Sequence, residues 1–427
     1  MNELSQAGLT PSRASRVQKV TSPSGVTAWL VEDYAVPIIA VDFAFRAGAA
    51  QDPAGKFGAV MLMAALLDEG AGKLDAAAFH NALDDKAIEL SFSADRDHVS
   101  GHLRALAGEA ASAFALLGLA LNEPRFDEDA LERVKAQMVA GLKHEANDPD
   151  SVSARAFRAA AFPGHPYGHA ARGTIDSVPG ITRADVAGLH AALLARDNLR
   201  IAVVGAISAA TLAQELERVF APLAAAARTR AIAAISMSAL GETRVSDLDL
   251  TQSTVRFGRP GLDLHDPDYS AAMVVNHVLG GGIFTARLFR EVREKRGLAY
   301  SVYSQLANYD RSDLLTGATT TKNERVAESL EVISREIKAL GQDGPTAEEL
   351  DKAKRYLTGS YALRFDTSSK IAGQLVFLQT AGFDVTQLDA RNVEIEAVTM
   401  ADARRAAARL FGDGKLLVSI AGRPQGL

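Results

Sequence analysis

The sequence predicts two α+β domains in tandem. Two observations carry this. Short runs with apolar residues at every second position alternate with long runs at helical spacing, the mix expected of an α+β chain. The order of these runs then starts again past residue 240. Asp52-Pro53, ahead of the first apolar helix, matches Asp266-Pro267 at an offset of 214. DEDALERVKAQM matches TAEELDKAKRYL, with Lys135 on Lys354 at 219. Ile181–Asp185 matches Val398–Asp402, and Gly205 in IAVVGAI matches Gly422 in LVSIAGR, both at 217. Four anchors in order at nearly one offset argue for a tandem duplication, with about 200 residues per unit.

Composition sets outer bounds. The chain has 427 residues, 48% hydrophobic and 23% charged, so it can bury sizeable cores. A net charge of -6 gives no reason to expect nucleic acid, which needs a basic patch. There is no cysteine, so disulfides, thiolate nucleophiles and cysteine metal sites are excluded. No apolar run reaches the roughly 18 residues of a membrane span. No apolar h-region stands at the N-terminus, so the chain reads as cytoplasmic, or as periplasmic if a signal peptide has been removed.

In chain order, residues 1–15 are polar and read as a flexible N-terminus. A first domain is expected over 16–221. It opens with a hairpin over 17–32 around Ser22-Pro23-Ser24-Gly25, then a strand over 38–47. Apolar helices follow over 56–67 and 74–86. A strand-turn-strand over 88–103 leads to alanine-rich helices over 105–121 and 127–145. Asp148-Pro149-Asp150 breaks the pattern before helices over 151–161 and 183–195. A strand over 199–204 and a helix over 209–220 complete the unit. Residues 222–240, alanine-rich and without clear caps, read as a linker, and 241–427 as the second domain.

Within it, Gly280–Tyr303 reads as glycine-rich turn, amphipathic helix, glycine stop and strand. Ile283 or Phe284, Leu288 and Val292 set an apolar face. Arg287 with Glu291 and Arg290 with Glu294 are spaced as i,i+4 pairs on an exposed side. Gly297 can close the helix in the left-handed conformation. Leu298–Leu306 alternates as a half-buried strand.

This block resembles the second-domain signature of the M16 family of zinc peptidases (pitrilysin and mitochondrial-processing-peptidase-like). The repeat, His165-Pro166-Tyr167-Gly168 and Gly173-Thr174 fall in the family's order, so the resemblance spans Val17 to Gly422. It implies two similar αβ domains, each an antiparallel sheet backed by helices. It also implies that Arg293 and Tyr300, seven positions apart, hold peptide substrate near the metal, with Tyr303 as the nearest competitor for the hydroxyl. Without the resemblance, Arg293 is one of several surface arginines and Tyr300 a core or edge tyrosine.

The family binds zinc through H-x-x-E-H on the first long helix and a glutamate about 75 residues on. In the register set by Gly58 and Gly70, those positions hold Met61, Ala64, Ala65 and Gly141. None supplies a ligand or moves a proton as that site requires, and a lone methionine makes no zinc site. The resemblance therefore implies a chain without its own cofactor. It would be a non-catalytic, peptide-binding subunit of a heterodimer, lending Arg293 and Tyr300 to a homologous partner that carries the zinc. The alternative is a structural M16-like scaffold with no peptide role.

His98 and His102 have the spacing of a helical metal pair, but their run reads as the polar face of a strand, with the imidazoles roughly 13 Å apart. His144 and Glu145, adjacent on a helix, point apart. His165 and His169 flank a turn and read as shaping that loop. No P-loop, dinucleotide fingerprint or G-x-S-x-G elbow is present.

Overall fold

Phe43 and Gly101 face each other across two neighbouring strands, and so do Phe257 and Gly317 in the second half. A Cβ on either glycine would collide with the ring opposite it. The same aromatic-on-glycine pair thus recurs in both halves, a trace of the duplication that the four sequence anchors do not include.

The computed structural model describes residues 13–282 and 284–427. The chain begins β1 (Gln18–Thr21), β2 (Thr27–Glu32), β3 (Ile38–Phe45), α1 (Ala59–Ala65), α2 (Ala76–Asp84), β4 (Glu89–Ala94) and β5 (Val99–Leu106). It continues α3 (Ala110–Asn122), α4 (Glu128–Glu145), α5 (Pro149–Ala161), α6 (Arg183–Leu193), β6 (Leu199–Gly205) and α7 (Ala209–Phe220). The series then restarts with β7 (Thr243–Ser246), β8 (Gln252–Pro260), α8 (Tyr269–Asn276), β9 (Ala299–Tyr309) and β10 (Ser312–Lys322). It ends α9 (Val326–Asp343), α10 (Ala347–Gly359), α11 (Ser368–Thr380), α12 (Gln387–Ala397), α13 (Met400–Phe411) and β11 (Leu417–Ala421).

The first sheet has the order β1-β2-β6-β3-β5-β4 and the second β7-β11-β8-β10-β9. From β2 on, the two orders are the same. Each sheet is antiparallel apart from one parallel pair, β2 with β6 and β7 with β11. One core packs α1, α3 and α7 on the first sheet through Phe43, Phe79, Phe114 and Phe220. The other packs α8, α9 and α13 on the second through Phe257, Ile333, Ile337 and Phe411.

The opposite face of each sheet is covered by a helix from the other half. α5 lies on β8 and β11, with Phe157 against Leu314 and Leu417. α11 lies on β3 and β6, with Ala372 and Leu375 against Ala202 and Val204. Gln379 Nε2, on α11, donates to the Ile201 carbonyl at 2.9 Å. α5 and α11 are repeat equivalents, so the exchange is reciprocal. The hairpin tips of the two sheets also meet. The Asp310 amide donates to Asp97 at 3.2 Å, and Tyr167, whose hydroxyl donates to Asp97 at 2.5 Å, packs its ring against Tyr309.

Two irregular stretches are held in place. The stretch read as a linker is packed: Ile232, Ile235 and Met237 join the cluster around Phe157, and Arg230 donates to the carbonyls of Ala50 and Asp52. The stretch read as flexible has a docked end. The Arg13 amide donates to Asp389 at 2.9 Å, and its guanidinium lies over Phe365 at 4.6 Å. Residues 1–12 lie outside the described residues.

Candidate functional site

The block at 280–303 is helical in a less regular way than its spacing predicts. α8 runs into a π-helical turn, His277–Gly281, and a second, Phe289–Glu294, forms most of the following helix. The wide turns show as i+5 bonds, Gly282 N to His277 O and Lys295 N to Arg290 O, both 3.0 Å. π-Turns concentrate at functional sites because they reset side-chain direction by a residue. Gly297 closes the helix at φ +59°, donating to the Arg293 carbonyl at 2.9 Å. Ile283 lies outside the described residues.

The expected i,i+4 pairs do not form. Arg287 is half-buried and reaches α10, donating to Glu349 at 2.7 and 2.8 Å. Glu291 instead gathers Arg290, Lys295 and Arg296. Burial pushes the Glu291 carboxyl up, but those three cations outweigh it and hold it at about 2. Arg287, Arg290, Lys295 and Arg296 thus each have a carboxylate at 2.7 to 3.3 Å. Among the described residues, Arg293 has none. Its guanidinium lies between two rings, 4.8 Å from the centre of Phe289 and 4.7 Å from that of Tyr300.

Tyr300 owes its direction to a β-bulge. In the β9–β10 ladder Val302 faces Thr319 and Ala299 faces Thr321, so Tyr300 and Ser301 together oppose one residue. Strict alternation would send Tyr300 and Tyr303 to opposite faces. The extra residue turns Tyr300 outward, as bulges near binding sites do. It is 82% exposed, against 41% for Tyr303, and both line the same cavity. Among the described residues the Tyr300 hydroxyl has no hydrogen-bond partner. β9 is also the edge strand of its sheet.

The cavity encloses about 1300 Å³, and every residue lining it lies between Leu264 and Arg405. Arg293, Tyr300 and Tyr303 share it with Phe284, Phe289 and His277. His277 stacks on Tyr356 at 4.7 Å, and burial lowers its pKa. Phe289 went unnoticed in the sequence, although its place four residues before Arg293 on a helix brings the two together.

Residues 180–357 match the family described as the peptidase M16 inactive domain. The whole fold matches the crystal structure of a peptidase M16 inactive domain from Pseudomonas fluorescens, with a TM-score of 0.89 and 28% identity over 96% of this chain and 98% of that one. A curated relative from Helicobacter pylori, the non-peptidase homolog YmxG, is 30% identical over 343 residues, 79% of this chain and 78% of the relative. The chain belongs to the peptidase M16 family. A chain of complex III from Candida albicans superposes with a TM-score of 0.79 at 18% identity, covering 95% of this chain and 96% of that one. That likeness is one of fold alone.

The four residues that the sequence register sets at the zinc positions, Met61, Ala64, Ala65 and Gly141, lie on α1 and α4, away from the cavity lining. Ala64 is buried in the first core, while Met61, Ala65 and Gly141 are half-buried. A Cβ on Gly141 would sit 3.6 Å from the Arg172 guanidinium, which is paired with Glu145. A cation therefore stands beside the residue read as the third-ligand position. This donor set does not fit zinc, and among the described residues no three His, Cys, Asp or Glu side chains converge on a possible metal position.

Four of the histidines singled out in the sequence have other neighbours. His102 Nδ1 bonds Asp42 at 2.8 Å across β3 and β5, while His98 lies between Asp95 and Asp310. His165 accepts from the Tyr167 amide at 3.1 Å and bonds the Ala233 carbonyl at 3.0 Å. His169 packs on Phe57, with ring centres 4.4 Å apart. Among the described residues no helix is long and apolar enough to cross a membrane.

Proposed function

We propose that this chain is a non-catalytic, peptide-binding subunit of a heterodimeric M16 zinc metallopeptidase, and that Arg293 and Tyr300 complete the site of a homologous partner. One observation carries this reading. In a helix whose other cations each pair with a carboxylate, Arg293 has no such partner among the described residues and lies over the ring of the exposed Tyr300.

The chemistry follows from the two groups. The guanidinium offers a fixed fork of donors that stays charged, and the phenol adds a neutral donor. Together they grip the carbonyls of an extended peptide and direct positive potential to where an oxyanion develops. Edge strand β9 offers main-chain bonds that tolerate many sequences. Zinc in the partner would supply the activated water; nothing on α1 or α4 of this chain could. The name of the Helicobacter pylori relative, a non-peptidase homolog, agrees with a chain that does not cleave by itself.

The test is peptide hydrolysis with zinc by the purified chain, alone and mixed with a homologous H-x-x-E-H chain. Activity only in the mixture, lost in Arg293→Ala, is the expected result. Activity of the chain alone would overturn the reading. A mixture that forms no heterodimer and cleaves nothing would favour a structural role.

A further inference from the structure

We propose that Arg364 and Arg391 form a carboxylate subsite in the same cavity, which takes an acidic side chain or the C-terminal carboxylate of the bound peptide. The proposal rests on the peptide-binding reading above and adds what kind of peptide is held.

Both arginines line the cavity that Arg293 and Tyr300 line. Arg391 is half-buried and fixed from behind. Its guanidinium lies 4.3 Å from the centre of the buried Tyr361 ring and donates to Asn392 Oδ1 at 2.9 Å and to the Leu357 carbonyl at 3.2 Å. Arg364 is exposed, and among the described residues it has no ion pair or hydrogen bond. No carboxylate among the described residues comes within ion-pair distance of either. The acids nearby have other hydrogen-bond partners, those of Glu394 being neutral groups. Glu394 accepts from Ser270 and Gln387, and Asp268 and Asp402 both hold Arg405. Asp389 accepts the amides of Arg13 and Ala14.

The electrostatics agree with the geometry. Burial, and after it the like charge of Arg364, holds Arg391 below the ordinary arginine range. Two neighbouring cations repel each other, Glu394 offsets part of that repulsion from beyond ion-pair distance, and a bound anion removes more of it. A pre-positioned planar fork suits a planar carboxylate bound through two parallel bonds. A peptide gripped at Arg293 and Tyr300 would bring such a group into the same enclosure.

The test is fluorescence anisotropy with one short labelled peptide in four forms, with Glu or Gln at one position and a free or amidated C-terminus. In the wild-type chain, removing the recognised carboxylate should weaken binding about ten- to a hundred-fold, the scale of a charge-assisted contact. Which removal does so identifies the source. In Arg364→Gln/Arg391→Gln the four forms should bind alike. Arg364→Gln alone, at an exposed position, should lose part of the preference even if the double variant is poorly folded. In Arg293→Gln all forms should weaken together with the preference intact. Equal binding of all four forms to the wild-type chain would overturn the subsite alone. Failure of every form to bind would overturn the peptide-binding reading and the subsite with it.

Discussion

The Arg293 guanidinium lies 4.7 Å from the ring of Tyr300, across the turn that Gly297 makes. A bulge in β9 and a π-turn in the preceding helix aim both groups into one cavity. Neither side chain has an ion pair or hydrogen bond among the described residues. Arg293→Ala should therefore leave thermal stability nearly unchanged while lowering turnover of the heterodimer about 10²- to 10³-fold, the scale of losing one oxyanion-stabilising donor. Tyr300→Phe, which removes one neutral donor, should cost roughly two- to ten-fold. Tyr303→Phe should behave like wild type, and a larger loss there than at Tyr300 would reassign the hydroxyl.

Zinc should neither bind nor stabilise the isolated chain. A ligand that binds only the folded state raises its stability in proportion to the logarithm of its concentration over Kd. In the register set by Gly58 and Gly70 the ligand positions fall to Met61, Ala64, Ala65 and Gly141, with Arg172 beside the last, so that no such stabilisation is expected. Melting curves with excess zinc and with chelator should superpose. One tightly held equivalent of zinc by metal analysis would contradict this.

Gly317 tests the aromatic-on-glycine pair. A methyl group there would run into the Phe257 ring and into the backbone of Tyr303. Gly317→Ala should destabilise the protein by about 1–3 kcal/mol, as overpacking does. Adding Phe257→Leu should recover part of the loss in a double-mutant cycle followed by denaturant unfolding. Strict additivity of the two changes would mean that the ring and the glycine are not coupled.

How much of this is legible in the sequence depends on how local its cause is. The repeat anchors are local chemistry: Thr182 with Asp185 and Thr399 with Asp402 both form complete capping boxes. Gly297 does close the helix ahead of β9. The ion pairs of that helix were misread because Glu349, far along the chain on α10, outcompetes the neighbour one turn away for Arg287. The bulge at Tyr300 and Ser301 leaves no mark, because the residues on both sides keep alternating. The exchange of α5 and α11 between the sheets is invisible for a different reason. Strand periodicity reports that a face is buried, and not which segment buries it.

The last prediction concerns pH. His102 and Asp42 pair at 2.8 Å on the face of the first sheet that α11 covers. The hydrogen bond to Asp42 raises the His102 pKa, although partial burial opposes the shift. The folded state therefore holds its proton more tightly than the unfolded state, whose histidine titrates near 6.5. By linkage, the stabilisation is fully present below that value and is lost as pH rises through the raised one. Wild-type stability should fall across this window relative to Asp42→Asn, whose His102 has no carboxylate to hold the proton. Unfolding free energies measured at several pH values for both chains supply the comparison. Parallel curves from about pH 5 to pH 9 would show that His102 carries no charge in the folded state and that the pair is an ordinary neutral hydrogen bond.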